Sequence, residues 1–137
     1  MILKSLPLKT SAKRATKLVN VPQWGEGAQV MLTELTIAGM VRESNMRQAV
    51  MDRKLNLQAT TSLLMCVSLM SVMVDPDTGE FLLHESDLDN FANSVNGETM
   101  SALVMANAEL NPLPEIMPLA KGETQLSAKK KKSSVTG

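Results

Sequence analysis

The sequence predicts a mainly α protein (α+β), in which a small N-terminal β-hairpin packs on a bundle of about four helices between disordered ends. Apolar and polar residues alternate only near residues 18–35, which is typical of short strands. Apolar residues then recur at helical spacing from residue 36 to residue 110. Lysine, serine, threonine and proline are frequent at both ends, where little periodicity is present.

The distribution of charge divides the chain into three parts. The length of 137 residues suits one domain with its own core. Residues 55–120 carry nine carboxylates without a Lys or Arg, whereas residues 1–19 are basic without an acid. We therefore predict a flexible basic arm (residues 1–18), a single helical domain (19–111) and a Pro/Lys-rich disordered tail (112–137). The basic ends are either solvated or contact other copies or a charged partner.

The hairpin is predicted from "LVNVPQWGEGAQVMLTEL". Gly25 and Gly27 give the backbone freedom that a reversal needs, and Pro22 makes the first strand an edge strand. Trp24 is the only tryptophan, in a chain with two phenylalanines and no tyrosine. We expect it to anchor the hairpin on the helices, and contact with a partner is the alternative interpretation.

Four helical segments follow the hairpin. The first begins near Thr36, and the spacing places five apolar residues on one side of it, with Arg42, Glu43, Arg47 and Asp52 off that side. The apolar five are Ile37, Met40, Val41, Met51 and Leu55. The second segment, residues 58–74, predicts a buried central helix. It is too short, and too diluted by Thr and Ser, to span a membrane.

The last two helices follow a turn at Asp75–Gly79 and the short extended piece "EFLL". Ser86 and Asp89 form a weak capping box, so a helix should begin at Asp87 and end at Asn96-Gly97. Its buried stripe is Leu88, Phe91, Ala92 and Val95. The final helix should begin near Glu98, bury Met100, Leu103, Val104 and Leu110, and end before Pro112.

The segment "DPDTGEFLLHESDL" partly fits a calcium loop. Glycine comes one residue too early at Gly79, and Ser86 occupies the twelfth position, where the loop needs a bidentate glutamate. Pro, Asp and Gly in this order also suit a plain turn. We favour the turn and keep a calcium-binding, EF-hand-like regulator as an alternative.

No residues indicate catalysis, a cofactor or a metal. His84 is the only histidine and Cys66 the only cysteine, which excludes the usual zinc ligand set, and no nucleophile motif accompanies either. The single cysteine also fits a reducing compartment. The basic ends lack the aromatic residues of single-strand binders, so we expect no specific nucleic acid as partner, although a small nucleic-acid-binding protein remains an alternative.

The order of features resembles the tail assembly chaperones of long-tailed bacteriophages with non-contractile tails. In that family a Val-x-x-Pro-x-Trp-Gly stretch leads into a strand, and an Asp-x-x-Gly turn precedes an acidic helix start. Val19, Pro22, Trp24 and Gly25 match the first motif. Matches to the second are Asp75 or Asp77, Gly79, Glu85, Asp87 and Leu88. The likeness covers residues 19–111. "FLLHESD" departs from it, because relatives often carry a second aromatic and a Thr there.

The resemblance implies a non-enzymatic factor without cofactor or membrane contact. It would act in the host bacterial cytoplasm, be absent from the mature virion, and keep the long helical tape measure protein soluble while the tail assembles. Homo-oligomers are compatible with such a role.

Relatives are often made in two lengths by a −1 ribosomal frameshift, with the longer product recruiting the tail tube protein. An adenine-rich slippery heptamer fits the codons of Lys129, Lys130, Lys131 and Lys132, since lysine is encoded by AAA or AAG.

Overall fold

A computed structural model describes residues 14–112, and it confirms the predicted class. Three antiparallel strands in the order β1-β2-β3 form one sheet, with β1 at Thr16–Asn20, β2 at Gln29–Thr33 and β3 at Met73–Val74. The four helices are α1 (Ile37–Met51), α2 (Leu57–Met70), α3 (Leu88–Ser94) and α4 (Gly97–Leu110). Short 3-10 turns at Pro22–Trp24 and Glu85–Asp87 lie before β2 and α3.

The hairpin reverses at the predicted glycines. Gly25 and Gly27 have φ of 135° and 78°, a region that other residues rarely adopt. Strand β1 begins at Thr16, within the segment that we predicted as the flexible arm (residues 1–18). Lys17 explains the difference, because its side chain is exposed and pairs with Glu109 at 2.8 Å. A strand residue that faces solvent is usually polar, so the start of the strand cannot be recognised from apolar residues in the sequence.

Strand β3 lies where the sequence predicted the end of the central helix. Helix α2 ends at Met70, and Met73 and Val74 pair with Leu32 and Met31 of β2. The whole run 66–74 is apolar except Ser68 and Ser71, because α2 and β3 are both buried. Periodicity cannot separate a buried helix from a buried strand, so the prediction of helix to residue 74 was wrong.

Helix α2 is the centre of the packing, as predicted. It contacts α1, α3 and α4, and its last two turns bury Cys66, Val67, Leu69 and Met70. Burial raises the pKa of the Cys66 thiol, since an apolar surrounding disfavours the thiolate. The cysteine therefore belongs to the core.

Helix α1 packs with the opposite face from the one that its apolar residues indicate. Its buried residues are Gly39, Arg42, Met46 and Val50, whereas the apolar side predicted from Ile37, Met40, Val41 and Met51 is exposed. Gly39 permits this orientation, because a Cβ there would lie 2.7 Å from the backbone oxygen of Ser71. The lack of a side chain at Gly39 therefore lets α1 pack closely against the backbone at the end of α2.

We predict that Gly39→Ala lowers the free energy of unfolding by about 1–3 kcal/mol, because backbone must move to admit the methyl group. Alanine is the better helix former by about 1 kcal/mol, so propensity alone predicts the opposite sign. Gly97→Ala at the first residue of α4 is the matched control, since no atom lies within 4 Å of its added Cβ. Urea denaturation of both variants checks this, and equal stabilities would contradict the close approach.

Candidate functional site

The α1 outer face is the side of α1 that is turned away from the core, and it exposes Ile37, Met40, Val41 and Met51. Leu55 and Leu57, which follow the helix, are exposed as well. Ile37 is 74% exposed and Leu57 is 81% exposed, so these side chains take no part in the core. The first residues of α1 and α2 are fixed by side-chain caps. Thr36 accepts from Gly39 N at 3.0 Å, and Asn56 accepts from Ala59 N at 2.8 Å.

Arg42 holds α1 in this orientation. Its side chain is only 6% exposed and donates to the carbonyl of Leu83, while the guanidinium carbon lies 4.3 Å from the centroid of the Phe81 ring. Burial lowers the pKa of Arg42, and the carboxylates of Glu85 and Asp87 partly offset that shift. Sequence reasoning placed Arg42 on the solvent side, because an arginine in an amphipathic helix is usually exposed.

A polar link fixes one flank of α1 to α2. Ser68 Oγ donates to Glu43 Oε2 at 2.9 Å, and Arg47 lies 3.4 Å from the same carboxylate oxygen. Glu43, Arg47 and Ser68 thus form charged and hydrogen-bonded contacts beside the α1 outer face. Polar groups therefore border the α1 outer face on this flank.

The Trp24 groove is a second apolar surface, with a volume of 380 Å³. It lies between the hairpin turn, the segment after β3, and α3. Nine residues line it: Trp24, Val30, Met73, Leu82, Leu83, Asp87, Asn90, Phe91 and Ser94. Sequence reasoning found Trp24 and Phe91, but nothing in the periodicity indicated that Leu82 would stand exposed at such a groove.

Trp24 is held at the groove from two sides. Its ring centroid lies 6.2 Å from that of buried Phe91, and 40% of the residue is exposed. The neighbouring Gln23 donates to the carbonyl of Ser94 and accepts from Asn96 N at 2.8 Å. These contacts attach the hairpin turn to α3 and to the start of α4.

In the acidic turn at residues 75–79, the first carboxylate accepts hydrogen bonds from backbone N–H groups of the same turn. Asp75 Oδ1 accepts from Asp77 N at 2.7 Å and from Thr78 N at 3.2 Å, and Gly79 has φ of 77°. This is the geometry of a structural turn. Among residues 14–112, no three His, Cys, Asp or Glu side chains lie together as a metal site would need.

His84 begins the 3-10 turn before α3. Its Nδ1 accepts from Ser86 N at 3.1 Å, and Asp87 Oδ2 accepts from His84 N at 2.9 Å. The capping box is therefore formed by His84 and Asp87, whereas we predicted Ser86 and Asp89. Asp89 instead pairs with Arg53 at 2.9 Å, which lowers the pKa of its carboxyl.

Two predictions concern the ends of the chain. Lys129, Lys130, Lys131 and Lys132 lie outside the described residues, as do residues 1–13 of the arm and 113–137 of the tail. Within the part that the structure does describe, no helix has the length and hydrophobicity needed to cross a membrane.

The described fold is similar to that of a known phage protein. The structure of the bacteriophage HK97 tail assembly chaperone matches with a TM-score of 0.52 and 18% identity, over 79% of this chain and 91% of that chain. No protein-family model matches the sequence. No curated protein matches it either. The likeness shows a tail assembly chaperone-like fold, and to that extent it confirms the resemblance found in the sequence.

Replacing Trp24 with alanine should lower the free energy of unfolding by about 1–3 kcal/mol, because the contact with Phe91 and the apolar burial beneath the ring are lost. Trp24→Phe, which keeps a ring at this place, should retain most of the stability. Thermal unfolding followed by circular dichroism measures both. An unchanged melting temperature in Trp24→Ala would show that the indole does not anchor the hairpin.

Proposed function

We propose that this chain is a non-enzymatic tail assembly chaperone of a phage, which binds apolar helical segments of the tape measure protein and keeps them soluble. The observation that carries the proposal is the α1 outer face, which exposes large apolar side chains on a chaperone-like fold. Four exposed large apolar residues on the outward side of one helix favour a surface that a partner covers. The chaperone would act in the host bacterial cytoplasm and be absent from the mature virion.

The chemistry of the α1 outer face suits a client with many unequal binding sites. Methionine has a flexible, polarizable side chain that adapts to different apolar surfaces, and Met40 and Met51 supply it here. Adaptable surfaces of this kind accept related but non-identical partners. Several copies bound along one long client would combine weak contacts into high avidity, and this mode needs neither a cofactor nor catalysis.

The test is a charge placed on the α1 outer face. Met40→Glu should weaken binding to the tape measure protein by about tenfold or more, because a buried methionine contact is worth about 1.5–3 kcal/mol. Met40 is 50% exposed and does not support the core, so the melting temperature should not change. Co-expression of each variant with the tape measure protein, followed by co-purification and the soluble fraction of the client, provides the measurement.

The matched control is Met105→Glu on α4, where the methionine is 63% exposed. It adds the same charge to a different helix. We expect this variant to hold the client in solution as the natural chain does. Equal losses in the two variants, or no loss in Met40→Glu, would contradict client binding at the α1 outer face.

We further propose a longer product made by a −1 frameshift at the codons of Lys129, Lys130, Lys131 and Lys132, whose extension recruits the tail tube protein. Four consecutive lysines support this proposal, because AAA and AAG codons in a row permit a slippery heptamer. The gene should contain an adenine-rich heptamer at these codons and an open −1 frame running well past Gly137. A −1 frame that closes within a few codons would refute the extension.

A further inference from the structure

We propose that the Trp24 groove binds a short amphipathic helix of a partner protein, in which large apolar side chains are flanked by Lys or Arg. The groove is a separate site from the α1 outer face, because no residue of α1 lines it. The inference therefore does not depend on tape measure binding. Three features of the groove carry it, namely the apolar lining, the charge around it and the hydrogen bonds of its walls.

The lining of the groove is apolar and held in place. Val30, Met73 and Phe91 are buried and belong to the core, so the floor is rigid. Trp24 and Leu82 remain exposed at the same groove. A volume of 380 Å³ is within the range of preformed binding pockets and can take large side chains of a partner. An indole beside aliphatic side chains is a common composition for such an anchor site.

The described lining of the groove carries one negative charge and no positive charge. Asp87 lines it, and no Lys or Arg is among the lining residues. Arg42 is buried, and Arg53 pairs with Asp89 in a separate cavity beside α1. A partner with Lys or Arg beside its apolar anchors complements Asp87, whereas nucleic acid or an anionic lipid surface does not.

The hydrogen bonding of the groove walls favours a helix over an added strand. Leu82 N donates to Met73 O at 2.9 Å, and the carbonyl of Leu83 accepts from Arg42. The opposite wall is α3, whose backbone is helical. Strand addition requires a row of available backbone groups. A partner that satisfies its own backbone and presents side chains at positions i and i+3 or i+4 fits these walls.

Fluorescence of Trp24 reports occupancy directly in the full chain, because the sequence contains one Trp and no Tyr. The probe is an amphipathic helical peptide of Leu and Lys, without aromatic residues, and its control is the same peptide with Glu in place of Lys. We expect the Leu/Lys peptide to cause a saturable blue shift of the Trp24 emission, and we expect added salt to weaken the binding. The Leu/Glu peptide should give no shift at the same concentrations.

Two variants of α3 locate the binding site. Asn90→Lys places a positive charge at the groove and should lower the affinity for the Leu/Lys peptide by tenfold or more. Asn93→Lys, an exposed position of the same helix outside the lining, should leave its affinity unchanged. Met105→Glu, which lies outside both surfaces, should also bind the peptide normally. Tape measure binding is measured separately by co-purification, so that failure of the groove and failure of the α1 outer face are distinguishable.

Several results would overturn the assignment. These are no blue shift with the Leu/Lys peptide, an equal shift with the Leu/Glu peptide, and equal effects of Asn90→Lys and Asn93→Lys. A blue shift that grows with protein concentration alone would identify a second copy as the occupant. A shift with phosphatidylserine vesicles but not with the peptide would identify a membrane surface.

Discussion

The arrangement of this domain depends on one buried arginine. Arg42 crosses from α1 to the segment after β3, where it lies over Phe81 and donates to the carbonyl of Leu83. Because the guanidinium is buried, removing it would leave that carbonyl without its donor, and such a loss costs about 1–3 kcal/mol. The same contact positions Leu82 and Leu83, which line the Trp24 groove, and fixes which side of α1 faces the core.

The two apolar surfaces follow from that constraint. With Gly39, Arg42, Met46 and Val50 turned inward, the opposite side of α1 must carry its methionines and Ile37 into solvent. The residues that a helix of this pattern would normally bury are thus left exposed. The Trp24 groove includes Leu82 and Leu83, which adjoin the Arg42 contact, and its lining contains the carboxylate of Asp87. The domain therefore exposes apolar side chains at two separate places.

The sequence predicted those parts of the fold that depend on the conformational limits of single residues. The hairpin was predictable because Gly25 and Gly27 have conformations that few other residues tolerate. The end of α4 was predictable because Pro112 cannot continue a helix. The third strand and the orientation of α1 were not, since they depend on tertiary contacts. Burial on all sides hides the boundary between α2 and β3, and the acceptor for Arg42 lies 41 residues away. The exposure of Leu82 at the groove could not be predicted either, because it also depends on tertiary contacts.

The composition of the core bears on how such a chain changes over evolution. Of its buried hydrophobic residues only Phe91 has a ring, and the others are mainly Val, Leu and Met. Aliphatic side chains of similar volume replace one another at a cost of less than about 1.5 kcal/mol, and methionine fills the irregular gaps that such exchanges leave. Cores tolerate many such exchanges when the total volume and the apolar pattern are kept, so they can accumulate while the backbone keeps its course. A lineage built on this core would lose recognisable sequence identity long before it lost its architecture, which accords with a shared fold at 18% identity.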